Sequence, residues 1–317
     1  MPIRQLLSSE GRLSSDSQAK LSAPIDVLRV RQLFADPARG ARAEFLRREV
    51  ATRMHERLDL IRLDAKRVLD AGCGDGADLS TLQQRFPQAQ IIGIDAAHGP
   101  LRAAQSRASA HLPVWQRWLG RAPGLNLAAA NFAQLPLANN SLDGLWSNLA
   151  LHWHPQPDRV FAEWQRVLRV QGLLMFSCFG PDTLQQLRHA LQRAGLAHSV
   201  LPFVDMHDLG DMLLENGFAA PVMDMEKITV TWGDLAKLLL DVRALGGNPL
   251  QTRQRGLRGR VVWQKLHAAL GQWQNADGLL PLSFEIIYGH AFKAQPRVAG
   301  EAVIRFEPSL AKAAGRG

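Results

Sequence analysis

A chain of 317 residues, 46% hydrophobic and 21% charged, is long enough to bury a full core and has the balance of an ordinary globular protein. No run approaches the ~18 apolar residues of a membrane span, and the N-terminus MPIRQLLSSEGRLSSDSQAK lacks the apolar stretch of a secretory signal, so a cytoplasmic location is the expectation. The net charge of +8 favours an acidic partner, and the two cysteines, Cys73 and Cys178, exclude a disulfide framework.

Residues 1–24 are polar and serine-rich and read as a disordered segment. Between Ile25 and Leu63 the apolar residues Phe45, Leu46, Val50, Met54 and Leu58 recur at helical spacing, with Arg47, Arg48, Arg53 and Arg57 on the polar side. The stretch Val68–Asp95 (VLDAGCGDGADLSTLQQRFPQAQIIGID) reads as strand, glycine turn, amphipathic helix, strand and acid, which is one βαβ unit. Arg102–His111 is helical, Trp115–Gly124 a loop or short helix, and Leu125–Ala130 a third strand. Leu142–Trp146 is a fourth strand, Val160–Leu168 a helix and Gly172–Phe179 a fifth strand. Strands alternating with helices throughout 66–180 argue for a parallel sheet. After Gly180 come helices at Asp182–Ala194 and Asp208–Asn216 and a strand at Val222–Trp232. Two more helices follow (Asp234–Leu245 and Val261–Trp273, split by a Gly246-Gly247-Asn248-Pro249 turn), then a last strand at Ser283–Phe292. One domain over 25–292 is expected, with a helical cap at about 233–280 and a tail at 293–317.

The glycine turn carries the first chemical argument. Gly72, Gly74 and Gly76 let backbone approach a ligand, and the helix that follows adds free N–H donors. Asp95, ending the second strand, can accept hydrogen bonds from both hydroxyls of a ribose. The spacing is not the G-x-G-x-x-G of nicotinamide sites, since Ala77 stands at the third position. Asp70, just ahead of the loop, would repel a pyrophosphate but suits an ammonium group. Together these residues point to S-adenosylmethionine (SAM), and the pattern resembles motif I of the class I SAM-dependent methyltransferases. That resemblance implies a seven-stranded, mostly parallel Rossmann-like sheet with helices on both faces, finished by an antiparallel pair. It also implies that Phe34–Arg42 forms a lid, that Asn131 and Phe132 lie at the adenine end, and that Asn148 lines the methionine end and the substrate. Tyr288 is the single tyrosine, so an N-terminal lid must use other side chains.

The runs SNLALHW, GLLMFSCFGPDTLQQLR and VDMHDLGDMLLENGF resemble the malonyl-[acyl-carrier protein] O-methyltransferase family of biotin synthesis, in its proteobacterial form, over about residues 30–292. The latter two also resemble a mitochondrial complex I assembly factor that hydroxylates arginine. Arginine hydroxylation, a scaffolding role and methylation of a small molecule therefore stay open. The resemblance implies methylation of the free carboxyl of a malonyl thioester on acyl carrier protein. Arg188 is then a candidate for orienting that carboxylate, and His152 for a general base. The run Val242–Ala276 holds Arg243, Arg253, Arg255, Arg258, Arg260 and Lys265 and no acid, a fitting dock for an acidic carrier protein. No metal site is expected, because His152 and His154 are too close for a helical pair and no Cys/His cluster surrounds them. Nucleic acid is disfavoured, since the strand-four loop reads Asn148-Leu149-Ala150-Leu151 and no aromatic-interleaved basic stretch occurs.

Overall fold

The computed structural model describes residues 23–110, 126–196, 200–253 and 259–296. The expected disordered segment up to residue 22, the Trp115–Gly124 loop and the tail beyond residue 296 lie outside them.

In chain order the elements are α1 (Val27–Phe34), α2 (Pro37–Ala41), α3 (Glu44–Leu58), β1 (Arg67–Ala71), α4 (Leu79–Arg85), β2 (Gln90–Asp95), α5 (His98–Ala110), β3 (Asn126–Ala129) and β4 (Leu142–Ser147). A 3-10 turn at Leu151–Trp153 leads to α6 (Pro157–Val167), β5 (Leu168–Phe179), α7 (Gln185–Arg193), α8 (Met206–Glu215), β6 (Phe218–Trp232), α9 (Leu235–Ala244), α10 (Arg260–Gly271) and β7 (Leu280–Lys293). The seven strands form one sheet in the order β3-β2-β1-β4-β5-β7-β6. β1 to β5 are parallel, and β7 runs antiparallel between β5 and β6. This is the expected sheet.

Strand alternation sorts the core into two layers. Val68, Trp146, Leu173 and Met175 pack towards α3, α4, α7 and α10, while Leu69, Leu145, Leu174 and Phe176 pack towards α6 and α8. Both faces of β1 and β4 are covered, so these strands read as near-continuous apolar runs. Asp70 falls on the Val68 face at the sheet's C-terminal edge, where parallel sheets open a crevice.

The helical stretch expected from Ile25 to Leu63 is three helices. Asp36 precedes Pro37, which biases it away from helix, and its carboxylate caps α2 by accepting from the Ala38 N–H at 3.0 Å. Leu46, Val50, Met54 and Leu58 of α3 are buried as their spacing predicts, whereas Phe45, counted with them, is exposed. Its polar side is not simply solvated, however. Arg53 and Arg57 reach across to β6, where Arg53 pairs with Glu226 at 2.5 Å and Arg57 with Asp224 and Glu226 at 2.5 and 2.7 Å. Arg57 also lies 3.9 Å from the centre of the Tyr288 ring. These charge-assisted bonds tie the helix before β1 to the far edge of the sheet.

Other boundaries shift for local reasons. α7 starts at Gln185 rather than Asp182 because the preceding loop is bonded to β7. The Thr183 hydroxyl donates to the Glu285 carbonyl and accepts from its N–H, and the Asp182 N–H donates to the Glu285 carboxylate at 2.6 Å. β6 begins at Phe218 rather than Val222, passing Pro221 through a bulge on an edge strand. α9 and α10 join the main core through Leu238, Leu266, Ala269 and Leu270, so the expected cap continues the helical layer of the sheet. Ala23 and Ile25 are buried with Leu201 and Leu250, so packing begins ahead of residue 25. Cys73 and Cys178 are buried free thiols. Among the described residues no helix is long and apolar enough to cross a membrane.

His55 on α3 stacks on Trp146 at 4.4 Å between ring centres, and neither ring nitrogen has a partner among the described residues. Burial, with help from Arg85, pushes its pKa from 6.5 down to about 4. The unfolded chain then binds the extra proton, so this group removes stability as pH falls from 6.5 towards 4. The expected result is a melting temperature that declines through that window, with a shallower decline in His55→Phe, which keeps the stack and removes the titration. Identical slopes in a thermal-melt series would contradict it.

Candidate active site

A cavity of about 370 Å³ opens above the C-terminal ends of β1, β2 and β4, within the size range of small-molecule sites. The first βα loop forms its floor. Gly72 and Gly74 both take positive φ, +84° and +54°. The loop is pinned by the Gly72 and Cys73 N–H groups, which donate to the Ile94 carbonyl at 2.8 and 3.0 Å. Gly76, also at positive φ, does not line the cavity. A Cβ there would lie 3.0 Å from Leu79 and 3.2 Å from Ala104, so its role is the close packing of α4 and α5.

Four carboxyls surround this floor, and one of them, Asp75, is paired with Arg107 at 2.9 Å. Asp70 is 2% exposed, lines the cavity and accepts no hydrogen bond from any described residue. Burial, reinforced by Asp78 and Asp95, holds it well above the usual carboxylate range. Asp78 is raised by burial too, against hydrogen bonds from Trp146 Nε1 at 3.1 Å and Asn148 Nδ2 at 3.2 Å. Asp95 is raised by burial although it accepts from the Ala97 and Gly74 N–H groups at 2.7 and 3.0 Å. Each Asp95 oxygen keeps a further lone pair for a hydroxyl donor. An unpartnered buried carboxylate inside an acidic cavity is a seat for a cation.

The remaining predicted residues divide. Asn131 and Phe132 line the cavity. Asn131 is exposed, and its side-chain oxygen is taken by the Ala133 N–H at 2.9 Å, leaving its amide nitrogen for a ligand. Phe132 packs edge-on against His154 and near Trp164. Asn148 also lines the cavity, but its polar atoms are engaged. Nδ2 donates to the Arg47 carbonyl and to Asp78, and Oδ1 accepts from Ser177. It fixes the strand-four loop to α3 and β5. His152 and Arg188 are not brought to the cavity. His152 sits among Trp153, Phe179 and Phe203, accepts from the Phe179 N–H at 3.3 Å, and is pushed by burial to about 3. Arg188 donates to the carbonyls of Pro181 and Thr183, clipping the loop before α7.

Sequence reasoning missed Asp78, Arg47 and Trp153, all of which line the cavity. Asp78 offered a signal, standing just before a helix. It reads there as an N-cap, yet it makes no capping bond and turns to Trp146 and Asn148 instead. Phe34 and Gly40 of the expected lid line the cavity, and the Arg47 guanidinium holds the lid by donating to the Gly40 carbonyl at 2.7 Å. Among the described residues no cluster of His, Cys, Asp or Glu could hold a metal ion.

Comparison with known proteins bears on the family and the fold. Residues 69–176 match the family described as "Methyltransferase domain". A malonyl-[acyl-carrier protein] O-methyltransferase of Laribacter hongkongensis is 46% identical over 275 residues, covering 84% of this chain and 91% of that protein. The enzyme of the same description from Gallionella capsiferriformans is 44% identical, covering 89% and 96%. Among solved structures, the YcgJ protein of a Bacillus superposes with a TM-score of 0.53 at 15% identity, over 77% of this chain and 98% of that one. A methyltransferase-like protein of Bacillus halodurans gives 0.52 at 15% identity, over 77% and 99%. These two speak for the fold.

Proposed function

The chain belongs to the malonyl-[acyl-carrier protein] O-methyltransferase family, and from that premise we propose that it is a cytoplasmic, SAM-dependent carboxyl methyltransferase acting on a malonyl thioester of acyl carrier protein, as biotin synthesis requires. The observation that carries the reading is the similarity itself, at 46% identity over 84% of the chain, joined to a cavity whose chemistry fits SAM. The bare Asp70 carboxylate suits the ammonium group. The free lone pairs of Asp95 suit ribose hydroxyls, and Phe132 offers a face to the adenine.

When bound, SAM supplies a methyl group on a cationic sulfur. With Asp70 and Asp95 holding it, its methyl group would be open to in-line transfer to the substrate carboxylate, the C–O bond forming as the C–S bond breaks and the electron pair staying on sulfur. A carboxylate is already ionised at neutral pH, so no general base is needed. That fits a His152 packed away among aromatics. The protein's work is alignment at near-attack distance and exclusion of water. Incubating the chain with malonyl-acyl carrier protein and methyl-labelled SAM should yield a malonyl methyl ester. Intact SAM binding without any ester would overturn the assignment.

Docking of the acidic carrier on the basic stretch is part of the same proposal. Arg255 and Arg258 lie outside the described residues. Arg243, Arg260 and Lys265 are exposed, whereas Arg253 is engaged with the Leu250 carbonyl and Asp26. Reversing Arg258, Arg260 and Lys265 to Glu should lower kcat/KM on the carrier-bound substrate by roughly tenfold at low salt, mostly through KM, and less at high salt. SAM affinity should not change. Turnover equal to wild type at low salt would reject this surface.

A further inference from the structure

A second cavity, of about 560 Å³, lies beside the first. It is half open, bordered by α1, α2, α7, α9 and α10, and Trp153 lines both cavities. Its lining is mixed, with Leu187, Leu191, Leu266 and Phe284 beside the polar Thr183 and Asn248. Three guanidiniums, from Arg29, Arg39 and Arg243, line it as well.

Their contacts are to neutral groups, which leave the charges unbalanced: Arg29 Nη1 donates to Gln32 at 3.2 Å, and the exposed Arg243 lies 5.9 Å from the centre of the Trp263 ring. Among the described residues none of the three makes an ion pair. The nearby acids are otherwise engaged, Asp241 with Arg42 at 3.7 Å and Asp26 with Arg253 at 3.9 Å. Arg29 has a buried Nε with no acceptor among the described residues. Arg39 spends Nε and one Nη on the carbonyl of Arg243, at 3.1 and 2.5 Å. Burial, then Arg29 and Arg243, lowers the Arg39 pKa, while Asp36 opposes this. Crowded like charges at a partly desolvated cavity are stabilised by an anion.

The turn after α9 puts this cluster next to the partition between the cavities. A Cβ on Gly246 would enter the Trp153 ring, and one on Gly247 would lie 2.9 Å from Arg39 Nη2. Consecutive residues thus touch the partition and the guanidinium. A ligand for this groove needs an arm with both polar and apolar stretches and a negative end, presented where the first cavity begins.

We propose that this second cavity receives the acyl arm of the thioester substrate, and that Arg39, with Arg29 beside it, orients the free carboxylate at the Trp153 partition. The proposal rests on the carboxyl-methylation reading and gives it the residue that Arg188 does not supply. Size and lining also favour the extended arm of a carrier-bound thioester over a small free acid.

The experiment compares binding of malonyl- and acetyl-acyl carrier protein in the presence of S-adenosylhomocysteine, alongside turnover. Wild type should bind the malonyl form about tenfold more tightly, the worth of one charge-assisted contact. Arg29→Gln and Arg39→Gln together should erase that preference and raise KM, with SAM affinity within about twofold of wild type. Arg39→Lys, which keeps a charge, should recover part of it. Because Arg39 also bonds α9, a separate variant, Leu187→Trp, fills the cavity from α7. It should weaken both carrier forms about tenfold with SAM affinity unchanged, and lower the melting temperature by a few degrees because Leu187 is buried. Folded variants that keep the malonyl preference, with Leu187→Trp binding like wild type, would overturn the cavity assignment while the functional reading stands. Absence of malonyl ester formation by wild type would sink both.

Discussion

Replacing Asp70 by Asn should weaken SAM binding roughly 10- to 100-fold, the 1.5–3 kcal/mol of a hydrogen bond to a charged group, while making the ligand-free protein more stable. The two effects have one origin. Asp70 is buried at 2% exposure with no hydrogen-bond partner among the described residues, and Asp78 and Asp95 add like charge. Its ionised form is costly in the empty protein, and a neutral amide of the same shape relieves that cost. Each kcal/mol relieved should raise the melting temperature by roughly 2–4 °C. The same charge is what an ammonium group would meet. Calorimetric titration with SAM and a thermal melt of the free protein test the pair of signs. A purely structural Asp70 would give a lower melting temperature and an unchanged affinity. A pH series adds a check. The folded pKa is raised, so affinity should decline as pH falls through it in the wild type and stay flatter in Asp70→Asn.

The sheet was legible because its strands are short apolar runs separated by turn and helix signals, and because covered parallel strands need no polar face. Boundaries moved where side chains from distant strands intervened, as at Thr183 with Glu285 and at the bulge past Pro221. The loop that floors the first cavity was legible for a related reason. Asp70, Gly72, Gly74 and Asp95 act through backbone geometry and strand position, both of which follow from local sequence. Asp78 was not, because an acid before a helix looks like a cap until Trp146 and Asn148 are placed against it. Asn148 shows the converse, since its position near the site was readable but its commitment to Arg47, Asp78 and Ser177 was not. Arg39 stayed hidden for the strongest reason. Its neighbours Arg243 and Gly247 lie some two hundred residues along the chain, and only folding reveals three guanidiniums without acids.

The glycine loop supplies the second large effect, and two of its members separate fold from ligand. A Cβ on Gly72 would lie 2.5 Å from the Ala150 Cβ, a contact that only a backbone shift can relieve, in a residue at φ +84°. The left-handed conformation costs a non-glycine residue about 1–2 kcal/mol and the overpacking about 1–3 more. Gly72→Ala should therefore lose roughly 2–5 kcal/mol of stability, a large part of a typical margin. Gly74 has φ +54° but nothing within 4 Å of its missing Cβ, and it lines the cavity. Gly74→Ala should lose only the conformational part, about 1–2 kcal/mol, and stay folded with SAM binding weakened about tenfold. Its new methyl group has no protein neighbour to displace, so what it obstructs is ligand. Denaturant unfolding and SAM titration on the two variants distinguish the roles. Equal destabilisation in both, or wild-type SAM affinity in Gly74→Ala, would mean that the open space at Gly74 is not where the ligand lies.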